Sequence, residues 1–250
     1  MNETSLQKYY NQKAKDLDEL ALTYNHKSRY KRFFFRTRFN NVINALAPKK
    51  GEKILDVGCG TGYYLKYILD KGAEAYGLDL SEEYIKQAKA YISPNRATLK
   101  VASASNIPFK SGYFDQVLAT EVIEHVPNYE KSLKEVYRVL RSNGSAVITT
   151  INKYSYMNIA YALKRIVRGY KFNEHVIEFS QHGFLSLLTK YFKIDEVFMC
   201  NFLVPYPLDN YFIQNFSART ERGFKRIEKF MSNSRFLKSL GWTIIVKVSK

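Results

Sequence analysis

The stretch KILDVGCGTG, residues 53–62, decides the fold class. An apolar run that ends in glycine is typical of a strand buried in a parallel sheet. Gly58, Gly60 and Gly62 follow at alternate positions, and glycines allow a tight turn and let a ligand approach the backbone closely. We therefore expect a buried strand that leads directly into a ligand-binding turn.

Helical and strand-like segments alternate after this stretch. LKYILDKG and SEEYIKQAKAYI have helical spacing, and Ser81 is the expected N-cap of the second helix. EAYGLDL, TLKVAS, FDQVLAT and SAVITTI are predicted strands, and the helix NYEKSLKEVYRVLR lies between the last two. The alternation predicts an α/β fold with a doubly wound, mostly parallel sheet, in which ligands bind beyond the carboxyl ends of the strands.

Two acids stand at those carboxyl ends. Asp56 precedes the glycines, and Asp79 ends the second strand, where a carboxylate can accept hydrogen bonds from both hydroxyls of a ribose. A dinucleotide site would read G-x-G-x-x-G and hold a pyrophosphate at a helix N-terminus. The spacing here is G-x-G-x-G beside an acid, which disfavours phosphates and suits a cationic, phosphate-free nucleoside.

ILDVGCGTG resembles motif I of the class I S-adenosylmethionine-dependent methyltransferases, and YGLDLS resembles their second motif. NIPFKSGYFDQVLATEVIEHV and VLRSNGSAVITT are similar to the regions around their third to fifth strands, so the resemblance covers about residues 40–150. It implies a seven-stranded Rossmann-like fold with S-adenosyl-L-methionine as cofactor. Gly58 and Gly60 would approach the amino-acid part of the cofactor, and Asp79 would bind its ribose. The cofactor-binding residues expected from this resemblance are Asp56, Gly58, Cys59, Gly60, Gly62, Asp79, Leu80, Ser103, Ala104, Thr120 and Tyr10.

Two positions depart from the family pattern. Ser103 stands where the family usually has an acid that contacts the adenine amino group, and SNG replaces the usual Pro-Gly-Gly turn before the fifth strand. A hydroxyl can still accept that hydrogen bond. The departures therefore bear on cofactor affinity rather than on cofactor identity.

EVIEHV, residues 121–126, follows the fourth strand. If a helix begins there, Glu121, Glu124 and His125 share one helix face. With His175 they would form a ligand set for Mg, Mn or Zn, similar to the E-x-x-E-H plus distal His of ubiquinone-type and small-RNA O-methyltransferases. Alternatively the site is metal-free, a Glu caps the helix, and His125 orients the substrate or acts as base. The expected catalytic residues are His125 and Glu121.

The formal net charge of +16 is unevenly distributed. Residues 1–53 hold 12 Lys and Arg against 5 Asp and Glu, residues 54–150 hold 11 against 11, and residues 151–250 hold 16 against 7. Basic flanks around a neutral centre indicate an anionic partner, either nucleic acid or a membrane surface. A solvated, Lys-rich surface is the alternative.

We expect a cytoplasmic protein, peripheral at most on the inner face of the membrane. MNETSLQKYY lacks the apolar stretch of a secretory signal. No apolar run approaches the roughly 18 residues that a membrane span needs. Cys59 and Cys200 are too few for a disulfide framework.

The N-terminal flank combines tyrosines with a basic, aromatic stretch. YYNQKAKDLDEL resembles a segment that closes over the cofactor in small-molecule members of the family, so Tyr9 and Tyr10 are assigned to a lid; packing on the core is the alternative. In SRYKRFFFRTRFNNVINAL, helical spacing predicts that Phe35, Phe39, Val42 and Leu46 face the domain. Phe33 and Phe34 are then surplus among six basic residues, and such a surface suits a membrane interface or nucleic-acid bases. The six basic residues are Lys27, Arg29, Lys31, Arg32, Arg36 and Arg38.

The C-terminal flank contains an extension of the fold. YFKIDEVFM and GWTIIVKVSK are predicted as strands six and seven, and about forty residues separate them. The helix ARTERGFKRIEKFM places Phe224, Ile227 and Met231 on one stripe. Its basic residues, Arg222, Lys225, Arg226 and Lys229, would lie around this stripe. The helix is either a cap packed on the domain or a surface for an anionic partner.

These features divide the chain into five segments: 1–47, an N-terminal helical lid; 48–150, the cofactor-binding core; 151–200, acceptor-side helices and strand six; 201–240, a basic cap insertion; and 241–250, the final strand. The expected activity is methyl transfer to a hydrophobic small molecule or lipid-linked acceptor, at oxygen, on an anionic membrane surface. The alternative is a 2′-O RNA methyltransferase. A non-catalytic scaffold is disfavoured by the intact glycine turn and Asp79.

Overall fold

The computed structural model describes residues 2–16, 28–92, 96–155, 158, 177–202, 216–234 and 237–250. These residues contain one seven-stranded sheet in the order β3-β2-β1-β4-β5-β7-β6. The strands are β1 Lys53–Val57, β2 Glu74–Asp79, β3 Ala97–Val101, β4 Phe114–Thr120, β5 Leu140–Ile151, β6 Lys193–Cys200 and β7 Thr243–Ser249. β7 runs antiparallel to β5 and β6, and the other neighbouring strands are parallel. The predicted doubly wound, mostly parallel sheet is confirmed.

Helices flank this sheet on both faces. They are α1 Glu3–Asp16, α2 Arg29–Leu46, α3 Tyr63–Asp70, α4 Glu82–Ile92, α5 Tyr129–Val139, α6 Gln181–Leu188 and α7 Ala218–Asn233, with short 3₁₀ helices at Ile123–His125 and Leu237–Leu240. The insertion between strands six and seven therefore does contain the predicted helix. No helix among the described residues combines the length and apolarity that a membrane crossing requires.

The alternating side chains of the strands divide the core into two layers. Ile54 and Leu118 belong to the layer that α2, α3 and α4 cover, whereas the neighbouring Leu55 and Val117 belong to the layer that α5 and α6 cover. All four side chains are fully buried, and each contributes about 1.5–3 kcal/mol relative to an exposed position. Near-continuous apolar strands are what a sheet covered on both faces requires.

The predicted cap of α4 is confirmed. The hydroxyl oxygen of Ser81 accepts a hydrogen bond from the N–H of Tyr84 at 3.2 Å, which satisfies one of the unpaired donors of the first helical turn. β5 begins earlier than predicted, because Leu140 already pairs with Phe114 before the chain turns at Asn143, whose φ is +61°.

An aromatic cluster joins the two basic flanks. Tyr30 and Phe33 of α2 contact Phe216, and Phe33 also contacts Phe224 of α7 with ring centroids 6.1 Å apart. Phe33 is buried, so the prediction that it is a surplus surface aromatic is wrong. The residues that cover Phe33 lie about 190 positions away in the chain, which helical spacing within α2 cannot reveal.

The inner face of α7 also differs from the prediction. Phe224 and Met231 pack on the domain, but Ile227 is exposed. The buried side chain between Phe224 and Met231 is Glu228, whose carboxylate accepts hydrogen bonds from the N–H groups of Asn201 at 3.1 Å and Phe202 at 2.7 Å. Glu228 thus ties α7 to the end of β6.

Glu228→Ala is expected to lower the free energy of unfolding by roughly 2–5 kcal/mol, because two buried N–H groups lose their acceptor. Glu221→Ala is the matched control on the same helix; its ion pairs with Arg29 and Lys225 are partly exposed, so its loss costs about 1 kcal/mol or less. Urea unfolding measures both. Equal losses in the two variants would contradict the role given to Glu228.

Candidate active site

The turn after β1 adopts backbone angles that favour glycine. Gly58, Gly60 and Gly62 have φ values of +70°, +50° and +82°. A Cβ on Gly58 would lie 2.4 Å from a methyl carbon of Val122, directly after β4. Only glycine combines these angles with that close approach. The turns after β1 and β4 therefore pack against each other at the carboxyl edge of the sheet.

Asp79, at the end of β2, holds two turns together. Its Oδ2 accepts the N–H of Gly60 at 3.0 Å, and its Oδ1 accepts the N–H of Ser81 at 2.9 Å. The side chain is largely buried. The carboxylate predicted to face a ribose is therefore fixed in position by backbone donors on both sides.

Asp56 is a buried carboxyl beside the same turn. It is fully buried, and among the described residues neither carboxyl oxygen has a hydrogen-bond partner. Burial, followed by the negative charge of Asp79, raises the pKa of Asp56 well above its ordinary value. A buried carboxyl without partners is costly, so Asp56 suits a ligand that brings a hydrogen-bond donor or a positive charge.

Helix α1 lies across the ends of β2 and β3. Gln7 donates to the carbonyl oxygen of Leu80 at 3.0 Å, and the side-chain oxygen of Asn11 accepts the hydroxyl of Ser81 at 2.7 Å. The ring of Tyr10 lies 5.9 Å from the imidazole of His125. α1 therefore reaches from the Asp79 side of the site to the end of β4.

Glu3 was not predicted from the sequence. Its carboxylate accepts hydrogen bonds from the hydroxyls of Ser103 and Ser105, each at 2.6 Å. These bonds hold the pKa of Glu3 below its ordinary value. An acid from α1 thus stands beside Ser103, where the family pattern usually has its own acid. No spacing signal connects residues one hundred positions apart, so only the fold reveals this pairing.

The segment after β4 differs from the prediction. No helix begins at Glu121: its φ is +52°, and a 3₁₀ helix covers only Ile123–His125. Glu121, Glu124 and His125 therefore do not form one face of a regular helix. The carboxylate of Glu121 forms an ion pair with the guanidinium of Arg38 from α2.

Glu124 and His125 have different environments. Glu124 is fully buried, and burial together with the charge of Glu121 raises its pKa to about 8. His125 is half-buried and faces Tyr10 of α1. Of the two, His125 is the one that retains some solvent exposure.

The metal set predicted from EVIEHV is not assembled in the part of the chain that the structure describes. No group of three or more His, Cys, Asp or Glu suited to a metal ion occurs among those residues. Glu121 is engaged by Arg38 instead. His175, the fourth predicted ligand, lies outside the described residues.

The other predicted site residues lie along the same edge of the sheet. Cys59 is buried in the glycine turn, and burial raises the pKa of its thiol well above the ordinary value. Leu80 follows β2, Ala104 is buried after β3, and Thr120 is the half-buried last residue of β4. The topology thus gathers the carboxyl ends of four strands around one position.

Comparisons with known proteins follow the same part of the chain. Residues 55–148 match the family described as "Methyltransferase domain". The chain is 33% identical over 66% of its length to an uncharacterised protein of Methanocaldococcus jannaschii, covering 57% of that protein. It is 39% identical over 46% of its length to the mitochondrial ubiquinone biosynthesis O-methyltransferase of Mus musculus, covering 32% of that enzyme. The chain thus spans less than two thirds of these curated relatives.

The fold matches solved structures over the whole chain. The magnesium protoporphyrin IX methyltransferase of Synechocystis PCC 6803, solved with bound SAH, aligns with a TM-score of 0.67 at 14% identity and covers 100% of both chains. This likeness concerns the fold alone. It extends beyond the matched domain to the flanking segments.

Glu124→Gln is expected to change how stability depends on pH. The folded-state pKa of about 8 lies above that of an unfolded Glu, so the stability contributed by the proton is full below about pH 4.3 and falls as pH rises to about 8. Glutamine cannot ionise and removes this decline. The free energy of unfolding of the variant, relative to that of the wild type, should therefore rise by on the order of 3 kcal/mol between pH 5 and pH 8.

Urea unfolding at a series of pH values measures this gain. Glu130→Gln is the control, because the carboxylate of Glu130 is exposed and pairs with Lys190 at 3.2 Å. Parallel stability curves for Glu124→Gln and the wild type would show that Glu124 is ionised in the folded protein, as a bound cation would make it.

Proposed function

We propose that this chain, whose residues 55–148 form a class I S-adenosylmethionine-dependent methyltransferase domain, transfers a methyl group to an oxygen of a hydrophobic small-molecule or lipid-linked acceptor. The observation that carries the proposal is the glycine turn held against Asp79 at the carboxyl edge of the sheet. That edge is where a doubly wound sheet binds its ligand.

The residues at this edge fit S-adenosylmethionine. The two carboxyl oxygens of Asp56 are buried and have no partners among the described residues. Together, Asp56 and Asp79 place two carboxyl groups beside the glycine turn, and such a pair disfavours the binding of a phosphate. A cationic nucleoside has hydroxyl and amino groups that can donate hydrogen bonds to these carboxyl oxygens. Gly58 and Gly60 would hold the amino-acid part and Asp79 the ribose. Ser103, joined by Glu3, would line the adenine end.

The chemistry requires alignment and the removal of a proton. When bound, S-adenosylmethionine supplies an activated sulfonium methyl group. Helix α1, through Tyr10 and through the contacts of Gln7 with Leu80 and of Asn11 with Ser81, would cover the site and exclude water. His125 faces this covered region and would accept the proton of the acceptor hydroxyl. The ion pair of Glu121 with Arg38 would hold the turn that carries His125.

The acceptor class is supported by similarity. One relative is named for O-methyl transfer in ubiquinone biosynthesis, and a lipid-linked phenol of that kind would lie in a membrane. The protein would then work as a cytoplasmic enzyme, peripheral on the inner face of the membrane. Of the predicted acceptor-side segment, 151–200, residues 156–157 and 159–176 lie outside the described residues.

RNA is the second candidate acceptor, because the basic flanks suit nucleic acid as well as an anionic membrane. Incubation with S-adenosylmethionine labelled in its methyl group separates the two classes. One reaction contains vesicles with a prenylated phenol, and the other contains bulk RNA at the same salt concentration. Label in the organic extract supports the proposal. Label in the RNA alone would replace the proposal with RNA methylation.

Asp79→Asn is expected to lower the affinity for S-adenosylmethionine at least about tenfold, because charge-assisted hydrogen bonds to the ribose are lost. Calorimetry measures the affinity for S-adenosylmethionine and its demethylated product, and NAD should not compete. Asp115→Asn is the control: Asp115 is a carboxylate near the opposite end of β4 that pairs with Arg141 at 2.5 Å. Unchanged affinity in Asp79→Asn would remove Asp79 from the site.

Activity after chelation decides between a metal and a histidine base. We expect turnover to persist in chelator and to fall at least about a hundredfold in His125→Ala, since general bases contribute 10²–10⁴ in rate. Loss of activity in chelator, with recovery on adding magnesium, manganese or zinc, would instead restore the metal set with His175. His182→Ala, which removes an exposed histidine of α6, is the matched control.

A further inference from the structure

The two basic flanks lie side by side in the folded chain. Arg29 of α2 forms an ion pair with Glu221 of α7 at 3.2 Å. The aromatic cluster of Phe33, Phe216 and Phe224 joins the same two helices. Sequence segments that are about 190 residues apart are therefore neighbours in the fold.

The outward face of α7 combines positive charge with exposed apolar groups. Phe230 is 68% exposed and Ile227 is 42% exposed. The exposed cations around them are Arg219, Arg222, Arg226 and Lys229. Helical spacing places Phe230 on the same face as Arg226 and Arg222, which precede it by four and eight positions.

Both acids of α7 are withdrawn from this face. Glu228 is buried and accepts backbone N–H groups of the domain. Glu221 lies towards α2 and pairs with Arg29 and Lys225. The charged groups on the outward face of α7 are thus all cations, and Phe230 borders an open depression formed with Arg226 and Lys229.

We propose that this face of α7, which we call the α7 basic face (Arg219, Arg222, Arg226, Ile227, Lys229 and Phe230), docks on an anionic lipid bilayer. The cations meet the lipid headgroups, and Phe230 and Ile227 enter the boundary between headgroups and acyl chains. The bilayer would be the place from which the enzyme takes the lipid-linked acceptor of the proposed function. Only this link to the acceptor rests on the proposed function.

The exposed side chains favour lipid over nucleic acid. A phenyl ring can stack on a base, but the branched aliphatic Ile227 gains nothing from stacking. The transfer of either side chain from water into an apolar layer is favourable. The aromatic residues of α2 that would have offered further stacking surface lie in the interior or against neighbouring rings.

Sedimentation with vesicles tests the charges. Binding should rise with the fraction of phosphatidylglycerol in phosphatidylcholine vesicles and fall as salt is added. Arg222→Glu with Arg226→Glu should weaken it at least about 25-fold, since each lost cation is worth about fivefold. Lys86→Glu with Lys89→Glu on α4 changes the net charge equally at exposed positions, Lys86 being 79% exposed, and should have little effect.

Phe230→Trp tests the apolar contact directly. The chain has one tryptophan, the buried Trp242, so wild-type emission should not respond to vesicles. Emission from the variant should shift to the blue and be quenched by brominated acyl chains, and Phe230→Ser should bind vesicles about tenfold more weakly. Calorimetry with S-adenosylhomocysteine, without any turnover, shows that each variant keeps its cofactor site.

The outcomes separate this proposal from the proposed function. Vesicle binding that is insensitive to salt, equal losses in the α7 and α4 reversals, or an unshifted tryptophan at position 230 would overturn the docking surface and leave cofactor binding intact. A shift caused by bulk RNA but not by vesicles would overturn it in favour of nucleic acid. Vesicle binding without S-adenosylhomocysteine binding would instead overturn the methyl-transfer proposal alone.

Discussion

The carboxylate of Asp79 is the interaction on which the site depends. It accepts one N–H from the glycine turn after β1 and another from Ser81. Ser81 in turn caps α4 and donates to Asn11 of α1. One carboxylate therefore links the parallel sheet, the glycine turn that we propose binds the cofactor and, through Ser81, the helix that we propose covers it. A buried charge of this kind is stable only when such donors surround it.

The core could be predicted from sequence because its signals are local. An apolar run followed by glycine, or a serine before a helical pattern, gives the same structure wherever it occurs, and β1 and the cap at Ser81 are both found as expected. The mostly parallel direction of the strands also follows from the alternation of helix and strand. These features need no knowledge of distant residues.

The errors arose where distant contacts decide the structure. Glu121 was expected to begin a helix, but it adopts a left-handed conformation next to Val122, which packs on Gly58, and it pairs with Arg38 from another helix. Phe33 was expected at the surface because spacing within α2 cannot reveal its partners Phe216 and Phe224, which follow β6 in the chain. Glu3 could not be associated with Ser103 for the same reason. In each case the partner of a polar or aromatic side chain is distant in the sequence and becomes adjacent only in the folded chain.

The two proposals assign different tasks to different surfaces of one scaffold. The carboxyl edge of the sheet gathers acids and glycines, which suit a cationic cofactor, whereas the outward face of α7 gathers exposed cations. A crystal structure with S-adenosylhomocysteine tests the central claim most directly. The account predicts its ribose on Asp79, its amino-acid part on the turn at Gly58 and Gly60, and its sulfur directed towards His125 beneath α1. A ligand bound elsewhere, with Asp79 still holding only the backbone, would contradict it.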